Sequence, residues 1–153
     1  WQVPSIGIRP NIVYGLARDQ GMSSKNTVAI QAAVLDKSYK IPYTGKYSWL
    51  YAGEAALAFI TSVSNDMVGS NVFNLNGSCE TIENGLKLIK ELKPNSSVTC
   101  EGQPLPFPPD LDDLPLRKYV GDYTSVSVQK GIEHTLRAFE TLKSEGKCPD
   151  VPI

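Results

Sequence analysis

Four residues near the start of the chain could bind an anion. Arg18, Ser23, Ser24 and Lys25 lie in a loop that leads into a helix. The first backbone N–H groups of a helix have no partner within it, and the helix dipole places partial positive charge there. We therefore expect these four residues to hold a carboxylate or phosphate group of a substrate. The alternative is structural: the serines cap the helix, and Arg18 pairs with Asp19 or with solvent.

A proline-rich segment later in the chain supplies two further substrate candidates. The sequence QPLPFPP, residues 103–109, cannot form a helix or a central strand, because proline lacks the amide hydrogen that either one needs. It must then be a polyproline-like surface loop, and loops often carry binding residues. We expect Gln103 and Phe107 to line the mouth of a substrate site.

No residue of the chain is predicted to be catalytic or to bind a metal. His134 is the single histidine, and it falls opposite the apolar stripe of the last helix, which indicates a solvated side chain. Asp110, Asp112 and Asp113 stand at the start of a short helix, where acids complement the helix dipole. The three cysteines are widely spaced and odd in number, which suits neither a disulfide framework nor a zinc site. Reduced thiols indicate a cytoplasmic protein.

The composition is that of one globular domain of 153 residues, 41% hydrophobic and 20% charged. With 15 basic residues against 16 acidic ones and no basic cluster, nothing favours nucleic acid or an anionic membrane surface as a partner. No apolar run reaches the roughly 20 residues that span a bilayer. We expect neither nucleic acid nor a membrane among the partners.

The candidate residues must be positioned by helices that alternate with short strands. An apolar run from Ile6 to Tyr14 predicts an opening strand. The helix behind Ser24 has its apolar residues at amphipathic spacing, and the next helix carries the inward stripe Ala52, Ala55, Ala56, Phe59, Ile60 and Val63. The other predicted elements are extended segments at 39–43 and 98–100, a strand at 71–75, a helix with the stripe Ile82, Leu86, Ile89 and Leu92, a helical turn from Asp110 to Gly121, and a long helix at 126–145. This alternation predicts an α/β layer arrangement.

Several of these segments together resemble one enzyme family. They are IRPNIVYG with the RDQG loop behind it, the small-residue helix from Gly53, the FNLNG strand, and LRKYVGD followed by VQKGIEHTLRAF. In this order they resemble the C-terminal half of the NAD-dependent epimerase/dehydratase family, the extended or atypical short-chain dehydrogenases/reductases. The resemblance implies an α/β fold, namely the C-terminal substrate-binding part of an extended short-chain dehydrogenase Rossmann-type fold with short strands and about five helices.

The resemblance also implies a cofactor and a place for it. In the intact enzyme, NAD or NADP would lie beside Pro10, Asn11, Ile12 and Val13, and this part would bind a small polar substrate, sugar-like or with a carbonyl group. The family's glycine-rich nucleotide-binding turn and its Tyr-x-x-x-Lys pair have no counterpart here. We therefore expect neither cofactor binding nor catalysis from this chain alone.

The chain departs from the family pattern at three places; Ile12 and the proline–aspartate loop concern the substrate, and Gly53-Glu54 puts one hydrogen bond of the family in doubt. Ile12 stands where sugar-nucleotide epimerases of the family usually have Asn, and the Gly53-Glu54 pair replaces two acids. The proline run and the aspartates behind it replace an Arg that usually holds a diphosphate, and acids there would repel one. The chain is in this respect similar to atypical epimerase-like reductases.

We expect a single domain over residues 1–153, in which 1–15 are a remnant strand of the cofactor sheet, 16–146 the substrate-binding lobe and 147–153 a tail. A strand as apolar as the first one belongs in the middle of a parallel sheet, and its bare edge invites pairing with another chain. We predict a homodimer through residues 5–15 or association with the missing half. The alternative is a stand-alone small-molecule-binding or oligomerisation module that has lost the cofactor domain.

Overall fold

The alternation of short strands and helices is confirmed. A computed structural model describes residues 3–64, 66, 68–121 and 123–151; the ends of the predicted domain, residues 1, 2, 152 and 153, lie outside them. The elements are β1 Ser5–Pro10, β2 Val13–Tyr14, α1 Lys25–Val34, β3 Tyr39–Ile41, β4 Lys46–Tyr51, α2 Ala52–Val63, β5 Ser70–Leu75, β6 Ser78–Thr81, α3 Ile82–Leu92, β7 Val98–Cys100, α4 Leu114–Val120 and α5 Val128–Ser144. None of the helices in the described part of the chain has the length and apolarity to cross a membrane.

The predicted opening strand from Ile6 to Tyr14 is wrong as one element. β1 pairs in parallel with β5, with Ile8 opposite Phe73, and the chain then leaves this sheet so that β2 pairs with β4 instead. The break follows Pro10: the Asn11 N–H still donates to the Leu75 carbonyl of β5 at 2.8 Å, and Val13 then pairs with Leu50 of β4. One apolar segment of the sequence therefore contributes strands to two different sheets.

A strand that sequence reasoning missed, β4, is the centre of the second sheet. β4 lies between β2, to which it is parallel, and β6, to which it is antiparallel. Tyr47 and Trp49 belong to the main hydrophobic core together with Tyr14, and Leu50 belongs to a second core cluster under β1 and β5. Its sequence KYSWLY is rich in aromatic residues, which are typical of strands, and could have predicted β4.

Helix α1 is buried on all sides, so its amphipathic interpretation is wrong. Every residue from Asn26 to Val34 is buried. The helix packs against α5, α3, β3 and β7, which together leave no face for solvent. Its polar residues are used inside the molecule: the Asn26 Oδ1 accepts from the Tyr43 hydroxyl at 2.9 Å, and the Thr27 Oγ1 accepts from the Gly15 N–H at 3.1 Å.

The predicted inward stripe of α2 is also wrong, except at Ala55. The buried residues are Glu54, Ala55, Ala58 and Ser62, whereas Phe59, Ile60 and Val63 are exposed. Small side chains let the helix lie close to β1, β2 and β4, and the larger apolar ones then point away from them. The outer face of the helix is therefore apolar.

The later elements follow the sequence more closely. In α3, Ile82 and Ile89 are buried, and Leu86 and Leu92 pack against the core, as predicted. Helix α5 falls within the predicted 126–145, and residues 103–109 have neither helix nor strand. Two details are corrected. The short helix α4 begins at Leu114 behind Asp113, because Asp110 bonds elsewhere, and His134 is half-buried against the ring of Tyr51, with ring centroids 5.5 Å apart.

Candidate functional site

A cavity lies at the carboxyl ends of β1 and β5, and we call it the strand-end cavity. Ligands in open α/β sheets bind at this end of parallel strands. Arg9 and Asn74 are partners in the strand register and point to the same face of the sheet. The cavity has a volume of about 370 Å³ and is lined by Arg9, Pro10, Asn11, Ile12, Ser23, Asn74, Phe107, Pro108 and Leu111.

The strand-end cavity brings together candidates that are far apart in the sequence. Three of the cofactor candidates, residues 10–12, share it with the substrate candidates Ser23 and Phe107. Val13 instead packs against the second core cluster, and Gln103 is exposed outside the cavity lining. The cavity thus has one wall from the strand end and another from the proline loop.

The predicted anion site at the start of α1 is occupied by the protein's own groups. The Arg18 guanidinium donates to the Gln20 carbonyl and, at 3.3 Å, to the Ser23 Oγ. Ser24 is fully buried, and its hydroxyl donates to the Gly21 carbonyl at 2.9 Å rather than capping the helix. Lys25 is half-buried at the first helical position. Of these four residues, only Ser23 reaches the strand-end cavity.

A chain of side-chain hydrogen bonds fastens the proline loop to the strand ends. The Asn11 Nδ2 donates to the Asn76 Oδ1 at 2.8 Å and to the Pro108 carbonyl at 3.1 Å. Asn76, which is buried, accepts a second bond from the Ser48 hydroxyl at 2.9 Å and donates from its Nδ2 to the Asp110 Oδ1 at 2.9 Å. This amide relay sets the distance between the two walls of the strand-end cavity.

A second cavity lies on the other side of the relay, and we call it the acidic cavity. Its volume is about 210 Å³. It is lined by Glu54, Asn76, Gly77, Ser78, Asp110, Leu111, Asp113, Arg117 and Ser125. Leu111 lines both cavities, so the two are neighbours.

One cation offsets two carboxylates in the acidic cavity. The Arg117 Nη2 lies 3.0 Å from the Asp113 Oδ2 and 3.8 Å from the Glu54 Oε1, and its guanidinium stacks 4.2 Å from the centre of the Tyr123 ring. Glu54 also accepts from the Val126 N–H at 3.1 Å. Burial nevertheless raises the pKa of the Glu54 carboxyl, with Asp113 adding to the rise and Arg117 and the Val126 amide opposing it. Arg117 is committed to these internal partners.

Sequence reasoning missed four residues that shape this region: Arg9, Asn74, Asn76 and Leu111. Arg9 and Asn74 stand near the ends of predicted strands, a position from which they could have been proposed. Asn76 and Leu111 gave no such signal, since their role depends on segments distant in the sequence. No group of His, Cys, Asp or Glu residues that could hold a metal occurs within the described ranges.

Comparisons with known proteins find similarity of fold only. No protein-family model and no curated protein matches the sequence. Among solved structures, UDP-glucuronic acid 4-epimerase from Bacillus cereus in complex with UDP-glucuronic acid and NAD matches with a TM-score of 0.74 and 16% identity, over 92% of this chain and 46% of that one. UDP-glucose 4-epimerase from Thermus thermophilus, in complex with NAD, matches with a TM-score of 0.70 and 20% identity, over 90% of this chain and 47% of that one.

A further neighbour is not an epimerase. A partial-consensus L-threonine 3-dehydrogenase matches with a TM-score of 0.71 and 18% identity, over 88% of this chain and 48% of that one. The chain thus spans about half the length of these structures. The fold expectation is confirmed, because the chain has the fold of the C-terminal half of the Rossmann-type epimerases and short-chain dehydrogenases.

Proposed function

We propose that the chain is the substrate-binding C-terminal portion of an NAD(P)-dependent epimerase, dehydratase or reductase. The strand-end cavity carries this proposal. It lies where open α/β sheets bind ligands, and it unites the strand end and the proline loop in a chain with half the length of its structural neighbours. In the intact enzyme the substrate would bind there, and we expect the catalytic groups to come from the other half.

The residues of the strand-end cavity fit one end of a dinucleotide rather than the whole. Pro10 and Ile12 offer an apolar surface of the kind that a flat ring requires. None of the cavity's lining residues is a glycine, so no backbone cradle for a pyrophosphate stands there. When bound, NAD or NADP would supply hydride transfer; this chain's part is to border the cofactor's ring and to hold the substrate beside it. The phosphates would belong to the other half.

The lining favours a small polar substrate with one apolar side. Arg9, Ser23 and Asn74 can bond to hydroxyl, carbonyl or carboxylate oxygens, while Phe107 and Leu111 supply apolar contact. The carboxylates of the neighbouring acidic cavity disfavour a diphosphate. We therefore propose a sugar-like or carbonyl compound without a nucleotide, although the Bacillus cereus neighbour is in complex with UDP-glucuronic acid. The free thiols of Cys79, Cys100 and Cys148 support a cytoplasmic site of action.

Ligand-observed NMR with the full polypeptide that carries this chain, in the presence of NAD, tests the proposal. Glucuronic acid should bind, and Phe107→Ala and Asn74→Ala should each weaken its binding about tenfold, the loss expected for one buried contact. Gln103→Ala, on the same loop but outside the cavity, is the matched control and should change nothing. Binding of UDP-glucuronic acid alone, or binding insensitive to both cavity variants, would contradict the proposal.

A further inference from the structure

A third cavity lies where the loop after β2, helix α1, the end of helix α5 and the C-terminal segment meet, and we call it the tail cavity. It has a volume of about 240 Å³ and shares no lining residue with the strand-end cavity. A cavity of about 150 Å³ is already large enough to bind benzene. The tail cavity can therefore hold a molecule of about that size together with one polar group.

Most of the wall of the tail cavity is apolar. The C-terminal segment is held back against α5, because the N–H groups of Lys147 and Cys148 donate to the Leu142 carbonyl at 2.8 and 3.1 Å. Water in contact with apolar walls lacks hydrogen-bond partners, so these walls favour an occupant with an apolar body. The apolar lining residues are Leu16, Ala17, Phe139, Leu142 and Pro149.

Gln31, which also lines the tail cavity, has a hydrogen-bond acceptor that no described residue uses. Its side chain is almost completely buried. The Nε2 donates to the Pro149 carbonyl at 2.7 Å, which fixes the orientation of the amide, since a flipped amide would place oxygen against oxygen. The Oε1 is left without a donor among the described residues. A buried acceptor without a donor costs free energy, and a molecule bound in the cavity can supply the donor.

Asp19 adds a negative charge to the same wall, and within the described part of the chain its carboxylate has no hydrogen-bond or ion-pair partner. The neighbouring Arg18 donates to Gln20 and Ser23 instead. Lys143, next in the chain to Leu142, bonds to the Val34 carbonyl and to Asp36. None of the described residues that line the tail cavity is basic. The charge of Asp19 is therefore available to a cationic ligand.

We propose that the tail cavity is a binding site for a small primary amine with an apolar body. An ammonium group has three donors and no acceptor, so it matches a wall that offers the Gln31 Oε1 and the Asp19 carboxylate. Hydrogen bonds to a carboxylate are stronger when the donor is charged. The apolar body then packs against Phe139 and Leu142. This site does not depend on the proposed function, because its residues take no part in the strand-end cavity.

Two-dimensional NMR of the isotope-labelled full polypeptide that carries this chain, titrated with benzylamine, tests the proposal. The backbone amides of Leu16, Ala17 and Asp19 should shift, with a Kd of about 1 mM or lower, as expected for a ligand of this size. The amide of Asn74, in the strand-end cavity, should not shift. Benzyl alcohol, which has the same ring without a charge, should bind at least about tenfold more weakly.

A pair of variants tests whether the charge of Asp19 acts locally. Asp19→Asn keeps the shape of the side chain and should weaken benzylamine binding about tenfold, with no change for benzyl alcohol. Asp150→Asn is the matched control, because it also removes a carboxylate beside Pro149 but from a residue outside the cavity lining. It should leave the affinity for both compounds unchanged. Melting temperatures of both variants check that they fold.

Three results would overturn the proposal. Residues 16–19 could show no shifts up to about 10 mM benzylamine, a concentration that would reveal binding of the expected strength. Benzyl alcohol could bind as well as benzylamine, which would leave the cavity with no preference for a cation. The two variants could weaken benzylamine binding equally, which would assign the effect to the overall charge of the protein instead of Asp19.

Discussion

At the scale of single residues, Asn76 joins segments that are far apart in the sequence. It accepts from Asn11 and Ser48 and donates to Asp110, so its amide orientation is fixed by three partners. Removing it takes an acceptor from the buried Ser48 hydroxyl and from the half-buried Asn11 amide, which costs about 1–3 kcal/mol. Asn76 thereby controls where the proline loop stands relative to the strand ends.

The substitution Asn76→Asp makes this attachment dependent on pH. At neutral pH two carboxylates would face each other, since the Asp110 Oδ1 lies 2.9 Å from the Asn76 Nδ2. We expect the loop to detach at neutral pH and to reattach in acid, once one carboxyl is protonated and can donate to the other. NMR signals of the backbone amides of residues 110–113, followed against pH, measure this. Asn76→Ala should detach the loop at every pH. Reattachment of the loop in this variant at acid pH would show that the amide relay does not hold the loop.

Glu54 makes stability depend on pH in the opposite sense to an ordinary surface carboxylate. Burial raises the pKa of its carboxyl in the folded state, so the charged form is disfavoured by folding. The contribution of Glu54 to the free energy of unfolding is therefore largest below the pKa of about 4.3 that the carboxyl has in the unfolded chain. This contribution is lost as the pH rises through the higher pKa of the folded state. Glu54→Gln keeps an acceptor for the Val126 amide but cannot titrate.

Urea denaturation of the wild type and of Glu54→Gln between pH 4 and pH 7 tests whether burial controls the Glu54 carboxyl. We expect the free energy of unfolding of the wild type, relative to Glu54→Gln, to fall as the pH rises over this range. A difference that stays constant with pH, or that changes in the other direction, would show that burial does not control this carboxyl.

At the scale of elements, two glycines let helices pack closely against aromatic side chains. A Cβ added at Gly85 of α3 would lie 2.1 Å from the Trp49 Cζ2, and one added at Gly131 of α5 would lie 2.0 Å from the Tyr14 Oη. Both aromatic residues are fully buried. The helices therefore rest on the second sheet through positions without a side chain.

We expect Gly85→Ala to lower the free energy of unfolding by about 2 kcal/mol. Overpacking of this kind costs about 1–3 kcal/mol, and the gain in helix propensity of about 1 kcal/mol offsets only part of so severe a contact. Chemical denaturation measures the change. Lys90→Ala, at an exposed position of the same helix, should change it by less than about 0.5 kcal/mol. A stabilised Gly85→Ala variant would mean that Trp49 has room to move.

At the scale of the whole molecule, the edge of β1 that faces away from β5, together with the exposed Phe59, Ile60 and Val63 of α2, should govern association. In the isolated chain we expect it to pair with a second copy, in line with the predicted homodimer through residues 5–15, because a bare apolar edge pairs with what is available. Ile60→Lys should reduce this association in sedimentation without lowering the melting temperature, since Ile60 is exposed. Ala58→Lys, fully buried on the same helix, should prevent folding. Unchanged association in Ile60→Lys would place the contact elsewhere.

Local signals were enough to predict much of the fold. The α/β alternation, β5, β7, the stripes of α3 and α5 and the irregular proline loop follow from periodicity and from prolines and glycines. Each of these signals acts between residues close in the sequence. The aromatic residues of strand β4 are a signal of the same local kind.

The sequence by itself determined the kinds of element, their order, and two of the segments that meet at the strand-end cavity. The tertiary structure alone decided that α1 is fully buried, that α2 turns its large apolar residues outward, and that Ser23 rather than Arg18 reaches the cavity. The reason is physical: which face of a helix is covered, and which polar groups find partners, depends on segments brought together only by folding. Asn11 and Asn76, 65 residues apart, are one such pair.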